Sequence, residues 1–127
     1  MAMTRQYGNS GSRPTGTIIF TPSVLQINCT ALPDSGEFLL YLSMNVKDSN
    51  GLIVANEKVS FELLNVPVWL STANIIYEMT NDYGSAVVTI KGRILKSHPE
   101  KQNTNVMFTV YTEQSRITAT GILIIND

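Results

Sequence analysis

The sequence has 127 residues and a formal net charge of −1; 43% of its residues are hydrophobic and 15% are charged. This composition suits one folded domain with an apolar core and excludes a disordered chain. The small net charge excludes partners that need clustered Lys and Arg, so we expect no nucleic-acid binding and no strong attraction to an anionic membrane. We also expect no membrane insertion, because no apolar run is long enough to span a bilayer.

The amino-terminal residues 1–16 are polar and rich in Gly, Ser, Thr and Arg. Because such a segment has little to bury, we predict a flexible arm over residues 1–16 and one folded domain over residues 17–127. The arm lacks the apolar region of a secretory signal peptide. Cys29 is the only cysteine, so no intrachain disulfide can form. The sequence does not fix the compartment in which the protein is located, and an extracellular, cell-surface or virion location is favoured.

From Thr17 onward the apolar residues recur with a period of two, which is typical of strands that bury one face. The longest run predicts a strand over residues 38–47, because a helix would scatter its apolar side chains around the cylinder. In chain order, the sets predicted to face inward are Leu25, Ile27 and Cys29; Phe38, Leu40, Leu42, Met44 and Val46; Val59, Phe61 and Leu63; Ile75, Tyr77 and Met79; Ala86, Val88 and Ile90; and Val106, Phe108 and Val110. The last run, residues 117–125, is apolar on both faces toward its end, so its inward face stays ambiguous.

Turn-forming residues separate these runs. Gly accompanies Asp or Asn in residues 33–36, 48–51 and 81–84, and residues 96–105 form a longer polar loop. No amphipathic stretch predicts a helix of useful length. About seven to eight short strands without covering helices must bury one sheet against another. The predicted fold is therefore all-β, an immunoglobulin-like two-sheet antiparallel β-sandwich, with an up-and-down barrel as the alternative.

Five segments, in order, resemble the bacterial Ig-like domains of the intimin and invasin type. Residues 21–25 match an opening strand that contains Pro, and residues 46–51 match a strand ending in Val-x-Asp-x-x-Gly. Residues 59–61 match the Val-x-Phe that follows, residues 80–88 contain Thr-x-x-x-Gly-x-Ala, and residues 118–120 match a closing Thr-Ala-Thr. The resemblance extends from residue 21 to the end and implies a sandwich domain that serves as a rigid spacer or display platform.

The sequence departs from that pattern in three ways. Residues 96–105 are long for this region, and residues 67–71 do not align with the pattern. The chain also contains one copy of the domain and no internal repeat, whereas such domains usually occur in tandem. These departures weaken the spacer role more than the fold.

The residue types that carry catalysis or bind metals are sparse. His98 is the only histidine and would have to serve any Ser-His-Asp or Cys-His mechanism, but a polar loop is a poor site for a rigid base. Cys29 is predicted to be a small buried hydrophobe. Residues 48–51 resemble the opening of a calcium loop, with Asp82 in another turn, but the closing Glu of an EF-hand is absent. Two pairs of acids close in sequence are interpreted as solvated charges: Glu57 with Glu62, and Asp34 with Glu37. We therefore predict no catalytic residue, no metal site and no cofactor.

Several apolar side chains occupy positions that the alternation assigns to solvent: Leu39, Tyr41, Val87, Met107 and Tyr111, with Ile122 and Ile124 if the last strand faces the other way. On neighbouring strands they would form a patch for a partner, unless termini or loops cover them. Trp69 is interpreted as core filling under a loop or, alternatively, as an exposed stacking platform. The predicted partner-binding residues are Leu39, Tyr41, Trp69, Met107 and Tyr111.

These observations predict a protein that is not an enzyme and works by presenting surface. The leading hypothesis is a bacterial binding or adhesion module that offers loops or a sheet face to a protein or glycan. The alternatives are a structural or decoration component of a phage or injection particle, and a homo-oligomeric lectin-like protein. A hydrolase on a β-scaffold is disfavoured because the sequence lacks a suitable base.

Overall fold

The computed structural model describes residues 16–95 and 103–126, which form nine β-strands and a short 3₁₀ turn at Cys29–Ala31. The predicted arm therefore lies outside the described residues except for Gly16, and so do His98 and most of the 96–105 loop. In chain order the strands are β1 (Gly16–Thr21), β2 (Leu25–Asn28), β3 (Glu37–Asp48), β4 (Lys58–Leu63), β5 (Leu70–Thr72), β6 (Ile75–Met79), β7 (Ser85–Ile94), β8 (Thr104–Thr112) and β9 (Thr118–Asn126).

The strands form two sheets that pack face to face. The four-stranded sheet has the order β1-β3-β7-β5, and the five-stranded sheet has the order β2-β9-β8-β4-β6. All pairs are antiparallel except β2 with β9, which run parallel. The described residues are thus an Ig-like β-sandwich, as predicted, and the barrel alternative was wrong. In this part of the chain no helix is long and apolar enough to cross a membrane.

The core lies between the two sheets and is built from the residues that point inward at every second position along the strands. Phe61 and Phe108 are fully buried with ring centroids 4.8 Å apart, and Phe20 packs edge-on against Phe108 at 5.3 Å. Aromatic pairs at these separations add to the stabilisation that burial supplies. The predicted inward sets on β2, β3, β4, β7 and β8 are confirmed as buried or half-buried.

The pairing of β9 with β8 decides the face that the sequence left ambiguous. Met107 lies opposite Ile122, and Phe108 lies opposite Gly121. Since Phe108 points into the core, Gly121 does too, and the alternation carries Leu123 and Ile125 inward. Ile122 and Ile124 therefore face outward.

The inward set predicted for β6 was wrong. Ile75, Tyr77 and Met79 are 44%, 56% and 57% exposed, and the half-buried residue of this strand is Ile76. The register explains the reversal, because Ile76 lies opposite the buried Phe61 and Tyr77 lies opposite the outward Ser60. Glu78 shares the inward side of β6 but is exposed, since β6 is the edge strand of its sheet. A charge at such a position discourages a further strand from pairing with the edge.

The predicted turns are confirmed by their hydrogen bonds. Asp48 Oδ1 accepts from the backbone N–H groups of Asn50 at 2.9 Å and Leu52 at 3.0 Å. Asn81 Oδ1 accepts in the same way from Tyr83 at 2.9 Å and from Ser85 at 3.0 Å. Both segments are Asx turns that end the strand before them.

Candidate functional site

The predicted partner-binding residues do not form one patch, because the sandwich separates them. Leu39 and Tyr41 lie on the outer face of the four-stranded sheet, together with Val87. Met107 and Tyr111 lie on the outer face of the five-stranded sheet, on the opposite side of the molecule. All four predicted residues are exposed, but a single partner surface cannot include both pairs.

Trp69 belongs to neither face. Its side chain is only 5% exposed, and its backbone carbonyl accepts a hydrogen bond from Leu95 N at 2.9 Å. It packs in the core beside Leu70. This position agrees with the interpretation of Trp69 as core filling under a loop. The exposed stacking platform was wrong for Trp69, because a buried indole offers no face to a partner.

The outer face of the five-stranded sheet is markedly apolar. Met107 and Ile122 lie opposite each other, and both are exposed. Further along the face, Tyr111 and Tyr77 lie on either side of Ser60 in one row across β8, β4 and β6. We call this the tyrosine row. The six large exposed side chains of the face are Ile75, Tyr77, Met79, Met107, Tyr111 and Ile122.

Two charged residues flank the tyrosine row on strand β4. Lys58 and Glu62 lie two positions to either side of Ser60 and share its outward face. The Lys58 ammonium lies 4.5 Å from the centroid of the Tyr77 ring, a cation–π distance. Among the described residues, neither Lys58 nor Glu62 forms an ion pair, since the one pair found there joins Arg93 to Glu37. A small hollow of about 80 Å³ lies over Ser60 between the two tyrosines, and Lys58 and Glu113 also line it.

The outer face of the four-stranded sheet differs in chemistry. Around Leu39 and Tyr41 it presents hydroxyl and charged side chains, with Lys91 opposite Leu39 and Thr89 opposite Tyr41. The Glu37–Arg93 pair, at 3.1 Å, lies at the rim of a broad, shallow depression of about 770 Å³ beside β5. This face is a mixed surface on which the exposed Ile19, Leu39, Tyr41 and Val87 stand among hydroxyl and charged side chains, so it is less apolar than the five-stranded face.

Glu57 is a buried carboxylate that closes one end of the sandwich. Its oxygens accept hydrogen bonds from Gln114 N at 2.8 Å, Ser115 N at 2.6 Å and Ser115 Oγ at 2.7 Å. Burial raises the pKa of Glu57, but the bonds from Ser115 and Gln114 outweigh burial and hold this pKa below its ordinary value. Glu57 thus holds the turn between β8 and β9 in place, and its role is structural.

The other chemically suggestive residues do not converge. The interpretation of Glu57 as a solvated charge was wrong, because this residue is buried and its carboxylate is hydrogen-bonded to the 114–115 turn. Glu62 is exposed on the outer face, so the two residues do not form a cleft of two acids. Cys29 is buried on the inner side. Asp48 is engaged in its turn, and Asp82 Oδ1 accepts from Asn56 Nδ2 at 3.2 Å. Residues 16–95 and 103–126 contain no group of three or more His, Cys, Asp or Glu side chains placed to hold a metal.

Sequence reasoning missed half of the apolar face, namely the three residues of β6. The period of two shows that Ile75, Tyr77 and Met79 share a side, but it does not show which side is inward. One available signal was the length of the run: β6 has five residues and ends beside an Asx turn, as an edge strand often does.

Comparison with known proteins supports the fold alone. No family model matches the chain, and no curated protein matches it in sequence. Among solved structures, the chain resembles the apo form of the CBD1 domain of Calx, with a TM-score of 0.53 and 12% sequence identity. The match covers 87% of this chain and 96% of that domain. It supports an Ig-like sandwich but does not extend to the intimin and invasin type.

Proposed function

We propose that this chain is a non-enzymatic binding module that buries the outer face of its five-stranded sheet against a protein. The observation that carries the proposal is the presence of six large, exposed apolar side chains on that face. Four of them form or flank the tyrosine row, and Met107 with Ile122 lies beyond the polar row formed by Glu62, Thr109 and Thr120. Each of the six carries roughly 200 Å² of surface and is about half exposed, so together they present roughly 550 Å². This is close to the upper end of what a monomeric protein usually leaves in water.

The composition of the face favours a protein over the other partner classes. Tyr and Met are enriched in protein–protein interfaces, where charged residues are depleted at the centre. A nucleic acid would need a basic surface, but around the tyrosine row the charged residues are Lys58, Glu62 and Glu113, of which only one is basic. The tyrosine row, with Ser60, Lys58 and Glu113 beside it, is also the kind of aromatic platform that a glycan uses, but the exposed Ile75, Met79, Met107 and Ile122 around it favour a protein.

A photo-crosslinking amino acid tests the proposal on the two faces of one molecule. Benzoylphenylalanine in place of Tyr77 probes the apolar face, and the same residue in place of Tyr41 is the matched control. Both tyrosines are strand residues of similar exposure, 56% and 58%, but they lie on opposite faces. We expect irradiation in the native cells to join a protein at Tyr77 and not at Tyr41. Equal products at both positions, a glycan product or no product at Tyr77 would contradict the proposal.

We also propose a bacterial surface or virion setting for this module, with adhesion as its role. The support is the order of the motifs in residues 46–51, 59–61 and 80–88, which resembles intimin and invasin domains. Tandem copies encoded behind a signal sequence, together with saturable binding to a cell surface, would support adhesion. Neighbouring capsid or tail genes and no cell binding would instead favour the particle component.

A further inference from the structure

We infer that the free edge of β1 is a pairing site for a second copy of this chain, with the two β1 strands antiparallel about a two-fold axis at Ile19. In the part of the chain that the structure describes, β1 pairs with β3 on one side and with no strand on the other. This edge is separate from the apolar face of the five-stranded sheet, so the inference goes beyond the proposed function.

The backbone of β1 gives the first argument. The N–H and C=O groups of Val46 form hydrogen bonds on the side of β3 that faces away from β1. Because these directions alternate along an antiparallel pair, Asn45 bonds to Ile19, and Ile18 and Phe20 direct their N–H and C=O groups to the free edge. Pairing about Ile19 satisfies these groups, since Ile18 of one copy lies opposite Phe20 of the other and exchanges two hydrogen bonds with it. The symmetry repeats this pair on the other side of the axis.

The side chains of β1 give the second argument, because they are arranged symmetrically about Ile19. An axis there places Ile18 beside Phe20 of the other copy on the inward side, and Thr17 beside Thr21 on the outward side. Pairs of an aromatic with a β-branched residue, and pairs of threonines, are among the cross-strand contacts that stabilise sheets. Ile19 is 59% exposed and becomes covered by its own copy. The strand is therefore complementary to itself, as a two-fold interface requires.

The third argument is that β1 lacks the features that keep an edge unpaired. Of the four edge strands in the described part of the chain, β1 is the longest and contains neither a charged residue nor a proline. By comparison, β5 has three residues, β2 has four, and β6 contains Glu78 on its inner side. Proteins usually shorten or charge an edge that must stay unpaired, so the long uncharged edge of β1 indicates that it pairs.

The charges near this edge do not oppose the pairing. The nearest charges on the four-stranded sheet are Lys47 and Asp48 of β3, one strand in from the edge. They lie at the Gly16 end of β1, and the axis places the Gly16 ends of the two copies at opposite ends of the interface, so like charges do not meet. On the same side of the sandwich, the edge strand of the other sheet is β2, which exposes the uncharged Gln26 and Asn28.

The paired arrangement joins the two four-stranded sheets into one continuous sheet. Pairing at an edge adds strands in the plane of the sheet and leaves the outer faces uncovered. The apolar faces of both five-stranded sheets therefore stay free, and the dimer presents two copies of the proposed binding face.

Engineered disulfides test the register. The Cα atoms of directly opposed positions that do not exchange hydrogen bonds are about 4.5 Å apart, a separation that a disulfide spans. Ile19→Cys should therefore give a disulfide-linked dimer when dissolved oxygen, with copper phenanthroline as catalyst, oxidises the thiols. Thr17→Cys and Thr21→Cys should each stay unlinked alone and become linked when mixed, because these two positions oppose each other. Non-reducing gel electrophoresis measures the linked fraction.

Two controls exclude links that form by random collision. Leu39→Cys is the matched variant, because Leu39 is exposed on the same face but lies on β3, away from the edge. The wild-type chain, whose Cys29 is buried, is the blank. We expect Leu39→Cys to give no more linked dimer than the blank.

Ile19→Lys tests the association without a covalent link. This variant sets two ammonium groups side by side at the axis, where like charges directly opposite each other are destabilising. We expect it to dimerise at least about tenfold more weakly than the wild type in sedimentation velocity over a range of concentrations. Leu39→Lys adds the same charge at another exposed apolar position of this face and should leave dimerisation unchanged.

A wild-type chain that stays monomeric at high concentration would overturn this inference. So would a linked fraction at Ile19 no greater than at Leu39, a mixture of Thr17→Cys and Thr21→Cys that stays unlinked, or an Ile19→Lys variant that dimerises as tightly as the wild type. Photo-crosslinking at Tyr77 judges the proposed function separately, because β1 lies in the other sheet.

Discussion

Replacing Glu57 tests whether a buried carboxylate holds one end of the sandwich together. Glu57→Ala removes the acceptor of three hydrogen bonds, from Gln114 N, Ser115 N and Ser115 Oγ. A hydrogen bond to a charged group contributes about 1.5–3 kcal/mol, but Gln114 is exposed and water can replace part of the loss. We expect the free energy of unfolding to fall by about 2–3 kcal/mol in urea titrations at fixed protein concentration. Glu78→Ala, at an exposed position, should change it by less than about 0.5 kcal/mol.

The pH dependence of a second variant, Glu57→Gln, gives a sharper check. The folded state holds the pKa of Glu57 below its ordinary value of 4.5, so the ionised form is the one that stabilises the fold. That stabilisation is complete at neutral pH and is lost as the pH falls below about 4.5 through the lowered folded pKa. The difference in unfolding free energy between wild type and Glu57→Gln should therefore shrink on acidification. A difference that stays constant from neutral pH to pH 3, or that grows, would refute the assigned role of the ionised carboxylate.

Three further substitutions probe the packing, a turn and the surface. Gly121→Ala places a methyl group against the ring of Phe108 in the core and should lower the unfolding free energy by about 1–3 kcal/mol in urea titration; no loss would mean that the ring moves freely. Asp48→Ala removes a side-chain acceptor for two backbone N–H groups and should cost about 1–2 kcal/mol, whereas Asp48→Asn should retain most of the stability in the same assay. Arg93→Ala breaks an exposed pair with Glu37 and should lower the melting temperature by no more than about 2 °C, so a large drop would show that this pair matters structurally.

The fold class could be predicted because it depends on local features. The alternation over residues 38–47 permits a strand and excludes a helix, and the Asx turns at Asp48 and Asn81 mark where strands end. Each signal lies within a few residues, so it is visible without knowledge of the partner strand. A chain with many such strands and no covering helices can bury its apolar residues only between two sheets.

The candidate site could be predicted only in part, because exposure on a strand depends on register. Leu39, Tyr41, Met107 and Tyr111 were recognised as outward since longer runs fixed the inward side of β3 and β8. Tertiary structure alone decided that the first two lie on one face and the last two on the other.

Local sequence determined the strands, the turns and the need for two sheets, because backbone geometry and side-chain period act over short distances. Pairing across the fold decided the rest. The five residues of β6 are too few to show which side of the strand is buried. In the sheet, Ile76 lies opposite the buried Phe61 and Tyr77 lies opposite the outward Ser60, so Tyr77 points outward. The partners of Glu57 lie 57 and 58 residues away, so only the closed sandwich brings that carboxylate to its turn. The apolar face exists for the same reason: it joins the β8–β9 hairpin to β4 and β6, which precede β7 in the sequence and become neighbours of the hairpin only in the sheet.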